Sequence, residues 1–555
     1  MGMLLMVSSL LLSACTHDSD STLPAPAGKV TLTVKVRAAD AATRASLDET
    51  TAATSPWYWS EGDKLCVVDP AGGVVGYLAI DDAYSDATPA TSALFSGTVS
   101  SDNIKNGVTY RFWYMGSGAT DLSTGTTTVT IDLSSQAGTL AGIYAKNIMT
   151  GTAMAYVEGT TAYAADLTLS PQLSIAHFAL TNSITATSLT IGGTGVCNSI
   201  TYNLATGVAT ATAAGSIALT DATNHFTDVY ATFVPGTLTP VFTVASSTAK
   251  YQGTLPKTIF AAGHLYRQSA TGSTNAVKVY CNKNRTGTLS GLFSISATKK
   301  VYFSQGNLQY QASTVTWSFA SNQYDYIGDA AGNTTAEADR ATQSDWIDLF
   351  GWGTSGYNNQ YPPYKVSGSP DTFGPSYVSG GTANDIAGTN YDWGVYNPIS
   401  NGGNRAGLWR TLTKDEWTYL LFTRNNNAAY AGTGKYLSFL CRLTISSTTY
   451  RGLMVLPDNN STNVQTSTYE DDSDDDWSLC PEFTSIPEGA LFLPASGYRI
   501  NVSLSRVAMD GNYWASTSGD DAGNVRGVEF SYDLISDDND IPRNCGCSVR
   551  LVQDE

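Results

Sequence analysis

The sequence predicts a mostly β protein, with β-sandwich structure in the N-terminal half and an α+β domain in the C-terminal half. Among the 555 residues, 51 are Gly and 31 are Tyr, and only 14% are charged, whereas soluble domains average about 25%. Apolar and polar residues alternate in short runs separated by turn residues, a pattern typical of half-buried strands. Helical periodicity is nearly absent before residue 268. These observations exclude an all-helical bundle and a coiled coil.

The first residues are typical of an export signal. Leu4 to Leu12 form a mostly apolar run that is too short to span a membrane as a helix and fits a signal-peptide core. The segment Leu12-Ser13-Ala14-Cys15 resembles the lipobox of bacterial lipoproteins. The resemblance implies lipidation (palmitate) of Cys15, anchorage to the membrane through this lipid, and an outer-membrane, cell-surface location. The alternative is an ordinary secretory signal in which Cys15 occurs by chance.

The first predicted strand runs from Lys29 to Arg37. Its apolar residues are Val30, Leu32, Val34 and Val36, and they alternate with polar ones. A period of two predicts that one face of this strand is buried. A polar loop rich in Ala and Thr follows, from Ala38 to Ser55, and it contains Arg44.

Further strands are expected along the rest of the N-terminal half. Glu61-Gly62-Asp63 predicts a turn that leads into an apolar strand ending at Val68. Turn residues at short spacing separate the others, which is the pattern of an all-β sandwich. These strands are expected at Ala93–Gly97, Thr109–Tyr114, Thr126–Leu133, Ser188–Ile191 and Tyr230–Val234.

Residues 29–268 resemble a family of pilus subunits. The motifs that carry the resemblance are Thr43-Arg44-Ala45, Trp59-x-x-Gly62-Asp63, Phe95-Ser96-Gly97 and Ala262-Gly263-His264-x-Tyr266. In this order, behind an alternating strand and a lipobox, they make this part of the chain similar to the fimbrillin (type V pilin, Mfa-like) family.

The resemblance implies assembly by strand addition. In that family a trypsin-like protease cuts after an Arg in the loop behind the first strand, and a strand of a neighbouring subunit fills the vacated groove. Here the cut would fall at Arg44 or Arg37, and Arg44 is favoured because Thr43-Arg44 matches the family position and lies in the loop. The released strand would carry Val30, Leu32, Val34 and Val36. Alternatively, Arg44 is a solvated loop residue of an uncleaved surface protein.

Three local patterns stand out after a polar linker at 269–286. Ala297 to Lys300 predicts the turn of a β-hairpin. Ser344 and Gly351 are placed as the N-cap and the stop of a short helix. Thr413 and Glu416 are spaced as a capping box, which predicts a firmly capped amphipathic helix beginning at Thr413.

Residues 287–555 resemble a second family. The helix with Trp417 is followed by Leu493-Pro494-Ala495-Ser496-Gly497-Tyr498, Tyr513-Trp514-Ala515-Ser516-Thr517 and Val549-Arg550-Leu551-Val552. This order is similar to the C-type-lectin-like fold of formylglycine-generating-enzyme relatives. The resemblance implies a terminal strand that pairs back near the first one, with long loops between them, and loops of this kind often carry binding sites.

Enzyme activity is not expected to accompany this second resemblance. Formylglycine generators bind copper through a cysteine pair, and Cys441 and Cys480 do not map onto that pair. The related sulfoxide synthases bind iron through His, and no His follows His264. An odd number of cysteines remains after Cys15, so at least one is free or pairs between chains. A pairing of Cys441 or Cys480 with Cys545 or Cys547 stays open.

One segment is a candidate calcium site. Asp472, Asp474 and Asp476 alternate within the acidic run Glu470–Asp476, and Ca²⁺ prefers hard oxygen ligands of this kind. The EF-hand glycine is absent, and a solvated acidic loop is the alternative. No other cofactor is expected.

These patterns lead to one expected function and two alternatives. We expect a cell-surface lipoprotein that acts as a minor or tip pilus subunit, or adhesin, with other pilus subunits and a host or dietary glycan or protein as partners. The tip position is expected because a stalk subunit donates a C-terminal strand, whereas Val549-Arg550-Leu551-Val552 resembles an integrated strand. The alternatives are a stand-alone surface glycan- or protein-binding lipoprotein that does not polymerise, and a formylglycine-type oxidase.

The net charge bears on possible partners, and the patterns above set the expected domain boundaries. The net charge is −18 and no basic patch stands out, so nucleic-acid binding is not expected. The expected segments are a signal peptide at 1–14, a tether at 15–28, a fimbrillin-like region at 29–268, a linker at 269–286 and a C-type-lectin-like domain at 287–555.

Overall fold

A computed structural model gives the fold of two compact units. It describes residues 28–38, 59–81, 92–181, 184–220, 223, 225–255, 259–266, 276–359, 361–377, 384–424, 436–458 and 477–555. The first unit holds residues up to 246 together with 252–282, and the second holds 247–251 and 283–555. Strands dominate the described residues, which confirms the mostly β fold class. The assignment of the two units to the two families stays a prediction.

The first part of the chain contains short strands and one described helix, Leu140–Tyr144. β18 begins in residues of the second unit and ends in the first. The strands are β1 (Lys29–Ala38), β2 (Lys64–Val68), β3 (Val74–Ile80), β4 (Ser92–Ser100), β5 (Val108–Tyr114), β6 (Thr128–Asp132), β7 (Ser135–Gln136), β8 (Met149–Glu158), β9 (Thr161–Pro171), β10 (Ser174–Thr181), β11 (Ser188–Thr194), β12 (Cys197–Asn203), β13 (Ala209–Ala214), β14 (Ile217–Leu219), β15 (Val229–Phe233), β16 (Gly236–Thr237), β17 (Thr239–Ala245), β18 (Lys250–Thr254), β19 (Ile259–Phe260), β20 (Leu265–Tyr266) and β21 (Val277–Tyr280).

Seven strands of the first unit close into a barrel in the order β1-β4-β3-β2-β5-β8-β9. Closure is possible because β1 pairs on one side with β4, antiparallel, and on the other side with β9, parallel. The inward side chains of these strands form one apolar core. Strand β1 is therefore needed to close the barrel.

The first unit also contains smaller sheets. They are β15-β10-β20 with β21 on β10, then β18-β17-β11-β14-β7, β13-β12-β6 and β16-β19. A second apolar core contains Trp113 and Tyr202, whose rings lie 5.5 Å apart. The indole of Trp113 donates to the carbonyl of Leu204 at 2.9 Å. The strands expected at five positions between Ala93 and Val234 are confirmed as β4, β5, β6, β11 and β15.

The second unit mixes short helices and small antiparallel sheets. The helices are Ala331–Thr334, Glu337–Arg340, Trp393–Tyr396 and Lys414–Thr418, with a π-helical turn at Tyr419–Thr423 and 3₁₀ turns at Tyr357–Asn359, Pro370–Thr372 and Trp477–Leu479. The strands are β22 (Lys283–Asn284), β23 (Phe293–Ser294), β24 (Lys300–Phe303), β25 (Leu308–Gln311), β26 (Thr316–Phe319), β27 (Trp346–Ile347), β28 (Ser438–Ile445), β29 (Thr448–Val455), β30 (Glu482–Phe483), β31 (Leu491–Pro494), β32 (Tyr498–Ile500), β33 (Ser503–Ser505), β34 (Gly511–Ser518), β35 (Asn524–Phe530), β36 (Ile535–Pro542) and β37 (Val552–Asp554).

The two ends of the second unit meet in one sheet of order β23-β24-β37. β23 and β24 form the predicted hairpin, with Phe293 opposite Val301. β37 pairs with β24, and Val301 lies opposite Asp554. The helix predicted from Thr413 is confirmed, since the Thr413 hydroxyl accepts from the amide of Glu416 at 3.2 Å and the Glu416 carboxylate accepts from the amide of Thr413 at 3.0 Å.

The helix predicted between Ser344 and Gly351 is wrong. Residues Trp346 and Ile347 form β27, which pairs with β25 so that Ile347 lies opposite Tyr310. Next to it, the buried Asp348 carboxylate accepts from the amide of Ile327 at 2.8 Å and from the side-chain amide of Asn333 at 2.8 Å. The segment is extended because its polar groups bond to distant parts of the chain, which a local capping signal does not reveal.

Several predictions fall on residues outside the described part of the chain. These are the signal peptide, Cys15, Arg44, and Asp472, Asp474 and Asp476. In the described residues, no helix has the length and apolar character needed to cross a bilayer.

Candidate strand-binding site

The candidate site is the slot that β1 occupies in the barrel. β1 runs antiparallel to β4 from Lys29 opposite Ser100 to Arg37 opposite Ser92. On its other side it runs parallel to β9, from Thr31 opposite Thr161 to Ala38 opposite Leu169. The backbone of β1 is thus paired along nearly its whole length on both edges.

The four alternating apolar residues of β1 all face the core. Val30, Leu32, Val34 and Val36 are at most 1% exposed, as their period of two predicts. Lys35, which lies between two of them, is exposed. Burying a side chain of this size contributes about 1.5–3 kcal/mol, so the slot binds β1 through apolar contacts as well as backbone hydrogen bonds.

The side chains across the slot differ in size along β4 and β9. Leu32, the largest of the four core-facing residues of β1, lies between Gly97 and Ala162, which are both small. Val34 lies between Phe95 and Ala164. On β4, the neighbour of the larger Leu32 is thus a glycine, and the neighbour of the smaller Val34 is a phenylalanine.

An aromatic cluster lies next to the slot. The Trp59 ring meets Phe95 edge-on with centroids 5.0 Å apart, and it meets Tyr114 in the same way at 5.3 Å. The Tyr114 hydroxyl donates to the Asp63 carboxylate at 2.8 Å. Burial raises the pKa of Asp63, while hydrogen bonds from Ser60 and Tyr114 oppose the rise. Trp59 and Asp63 of the Trp59-x-x-Gly62-Asp63 motif therefore pack and hydrogen-bond the aromatic side chains at this side of the core.

Two glycines allow close approach of the barrel strands. A Cβ at Gly97 would lie 2.3 Å from the backbone oxygen of Tyr77, and one at Gly151 would lie 2.2 Å from that of Thr168. Such contacts exclude any side chain, so glycine is required at both points, as at the sharp bends of other barrels. Gly97 belongs to the Phe95-Ser96-Gly97 motif, which lines the slot on β4.

The two candidate cleavage residues differ in their placement. The Arg37 backbone lies inside β1, opposite Ser92 on β4 and Thr168 on β9. A protease needs an extended segment that it can bind in its own cleft, and a residue paired on both sides does not offer one. Arg44 lies outside the described residues.

Sequence reasoning missed the strand that forms the other wall of the slot. β9 contributes Ala162, Leu167 and Leu169, all buried, and none of them was expected to line the site. The signal was present, because Ala162 and Ala164, and then Leu167 and Leu169, are each two residues apart. The register shift in the pairing of β9 with β1 between Val34 and Val36 interrupts this alternation.

The cysteines of the second unit lie in buried, apolar surroundings. Cys441, Cys480, Cys545 and Cys547 are all buried. Burial and the neighbouring Cys480 raise the pKa of Cys441, which disfavours the thiolate that a metal ion needs. No disulfide joins any of the seven described cysteines. Within the described ranges, no cluster of three or more His, Cys, Asp or Glu side chains could hold a metal ion.

Comparison with known proteins gave matches only among solved structures. No protein-family model matches the chain, and no curated protein matches it. A structure described as a cell adhesion protein from Bacteroides ovatus aligns over 42% of this chain and 89% of its own, at 14% identity and a TM-score of 0.28.

Two further matches are described as fimbrial proteins. A fimbrial assembly protein from Parabacteroides distasonis aligns over 53% of this chain and 99% of its own, at 10% identity and a TM-score of 0.27. The tip fimbrial protein Mfa3 from Porphyromonas gingivalis aligns over 41% of this chain and 81% of its own, at 9% identity and a TM-score of 0.22. Matches with such TM-scores and identities do not establish a shared fold.

Proposed function

We propose that this chain is a cell-surface pilus subunit that accepts a strand from another subunit in place of β1. The observation that carries the proposal is that β1 closes the barrel while pairing with β4 on one side and β9 on the other. Proteolysis after Arg44 would release β1 from the rest of the chain. The protein would act by binding and assembly. A lipid on Cys15 would anchor the uncut chain, and the cut would remove this anchor together with β1.

A barrel that has lost β1 needs a replacement strand. Its two new edges, β4 and β9, would expose unpaired backbone groups, and such edges pair readily with another strand. The pockets of Val30, Leu32, Val34 and Val36 would be open to water. An incoming strand with alternating apolar residues satisfies both needs at once, by the same backbone pairing that holds β1.

The end of the second unit supports the proposed tip position. Val549, Leu551 and Val552 are 0% exposed, and β37 pairs with β24. The Arg550 guanidinium donates to the carbonyl oxygens of Ser304 at 3.2 Å and Phe492 at 2.9 Å. This strand is part of the second unit's core, so donating it to another subunit would disrupt that unit. We therefore propose a subunit that accepts a strand and uses its second, C-type-lectin-like unit as an adhesive head.

Limited proteolysis followed by strand replacement tests the proposal. The chain is cut with trypsin, β1 is released in mild denaturant, and a synthetic peptide of residues 28–38 is added as the denaturant is removed. We expect saturable binding of this peptide and recovery of the folded first unit. The matched control peptide has Leu32→Asp and Val34→Asp, which place charges in the apolar pockets, and we expect it not to bind.

The variant Arg44→Gln identifies the cut. It should resist release of β1 under conditions that cleave the unmodified chain. If trypsin leaves Arg44 intact in the folded protein, or if the first unit stays folded without any strand in the slot, strand replacement is wrong. The stand-alone surface lipoprotein would then be the better account.

A further inference from the structure

The strand β13 is exposed in an unusual way for a paired strand. All six of its residues, Ala209–Ala214, are exposed, although the strand pairs with β12. Ile200 and Tyr202 on β12 are buried, whereas Thr212, which lies opposite Ile200, is exposed. The apolar core thus ends at β12, and β13 extends beyond it with both faces in solvent.

Among the described residues, β12 is the one strand that pairs with β13, so the outer edge of β13 has no strand partner there. The sheet has the order β13-β12-β6, so β13 is an edge strand, and no described strand pairs with its far side. Natural edge strands are usually protected by charges, proline or a cover from another element. β13 contains neither a charged residue nor proline, and residues 178–220 contain no Asp, Glu, Lys, Arg or His at all.

We propose that β13 pairs with β13 of a second copy of this chain, antiparallel and around a two-fold axis. The pairing would join two three-stranded sheets into one of order β6-β12-β13-β13-β12-β6. A two-fold contact uses the same edge on both copies, so it closes on itself and leaves no free β13 edge for further growth.

Composition favours a second copy over an unrelated strand. The Ala and Thr side chains of β13 form no pockets, so the edge offers backbone hydrogen bonds without the side-chain selection that recognises a particular foreign sequence. Across a two-fold axis any charged residue near the axis meets its own copy, and like charges opposite each other destabilise a strand pair. The absence of charges over residues 178–220 removes that obstacle to self-pairing.

Sedimentation of the full chain over a wide concentration range tests the proposal. Cys15→Ala is included so that a lipid does not associate the copies. We expect reversible dimerisation that the double variant Thr210→Lys, Thr212→Lys abolishes, because lysines would face each other across the axis. The matched control is Thr98→Lys, at an exposed position of barrel strand β4, and it should dimerise like the parent.

Hydrogen exchange locates the contact. The amides of residues 209–214 should exchange more slowly as the protein concentration rises, while those of β6, at the other edge of the sheet, should not change. A chain that stays monomeric at all concentrations, or whose dimer survives both lysines, contradicts the proposal. Because this contact does not involve β1, its failure leaves strand replacement standing, and the failure of strand replacement leaves this contact standing.

Discussion

Leu32 shows at the residue scale what holds β1 in place. It is 0% exposed and lies between Gly97 and Ala162. Leu32→Ala should therefore lower the free energy of unfolding by about 2–5 kcal/mol, the range for removing a buried leucine side chain. Urea unfolding measures this loss. Lys35→Ala, at an exposed position of the same strand, should change the free energy of unfolding by less than about 0.5 kcal/mol. Equal effects of the two substitutions would contradict the finding that Leu32 faces the core and Lys35 faces solvent.

The buried Asp392 predicts how the stability of the second unit changes with pH. Its buried carboxylate accepts from the amide and the hydroxyl of Thr411 at 2.9 and 3.0 Å, but burial outweighs these bonds and raises its pKa to about 6. In the unfolded chain an aspartate has a pKa of about 3.9. Between these values the folded state binds more protons, so this group's contribution to stability falls as pH rises from about 4 to 6.

Asp392→Asn removes that titration. The free energy of unfolding of the parent minus that of the variant should fall between pH 4 and 6 and level off above that range. Urea unfolding of both proteins at several pH values measures the difference. A difference that stays constant with pH, or rises, would show that Asp392 does not titrate in this way.

The residue scale also shows where prediction from sequence stops. The burial of Val30, Leu32, Val34 and Val36 follows from their alternation alone. The burial of Arg550 does not, because its guanidinium is held by Ser304, 246 residues away, and by Phe492, 58 residues away. Such partners meet only after folding, so no local pattern marks this arginine as a core residue.

Elements are predictable when their signals are local. The helix Lys414–Thr418 begins where the capping box places it, because Thr413 and Glu416 bond to each other's backbone. The segment around Trp346 carries a capping residue and a stopping glycine as well, but its Ile347 pairs with Tyr310 on β25. The helix prediction is wrong there because pairing with a distant strand determines the conformation of the segment.

The capping box yields a stability prediction. Thr413→Ala removes the hydroxyl that accepts from the Glu416 amide, and loss of such a cap costs about 0.5–2 kcal/mol. Thermal or urea unfolding of the second unit measures the change. Thr298→Ala, at an exposed position in the turn between β23 and β24, is the control and should have almost no effect. Equal stability of the two variants would mean that the cap contributes nothing.

At the scale of the whole molecule, topology was the part that sequence did not predict. A strand such as β1 can be recognised from its alternation, but its parallel pairing with β9 joins residues more than a hundred positions apart. The closed barrel depends on that pairing. The return of the C-terminal strand to the start of the second unit followed instead from family resemblance, and β37 does pair with β24.

The integration of β37 can be tested by truncation. Removing residues 552–555 deletes the buried Val552 and Gln553 together with the ion pair between Arg410 and Asp554 at 2.8 Å. We expect the free energy of unfolding of the second unit to fall by about 2–5 kcal/mol, the range for removing a large buried side chain. Removing only the exposed Glu555 is the control. A truncated chain as stable as the control would make this strand free for donation, against the proposed tip position.

The central claim is that β1 is cut from the mature protein and replaced, and the mass of the mature N-terminus tests it most directly. Protein isolated from the native cell surface is analysed by mass spectrometry without prior digestion. The account predicts a chain that begins at Ala45, after cleavage at Arg44 and loss of β1. A chain that begins at lipidated Cys15 and still carries residues 29–38 would contradict it.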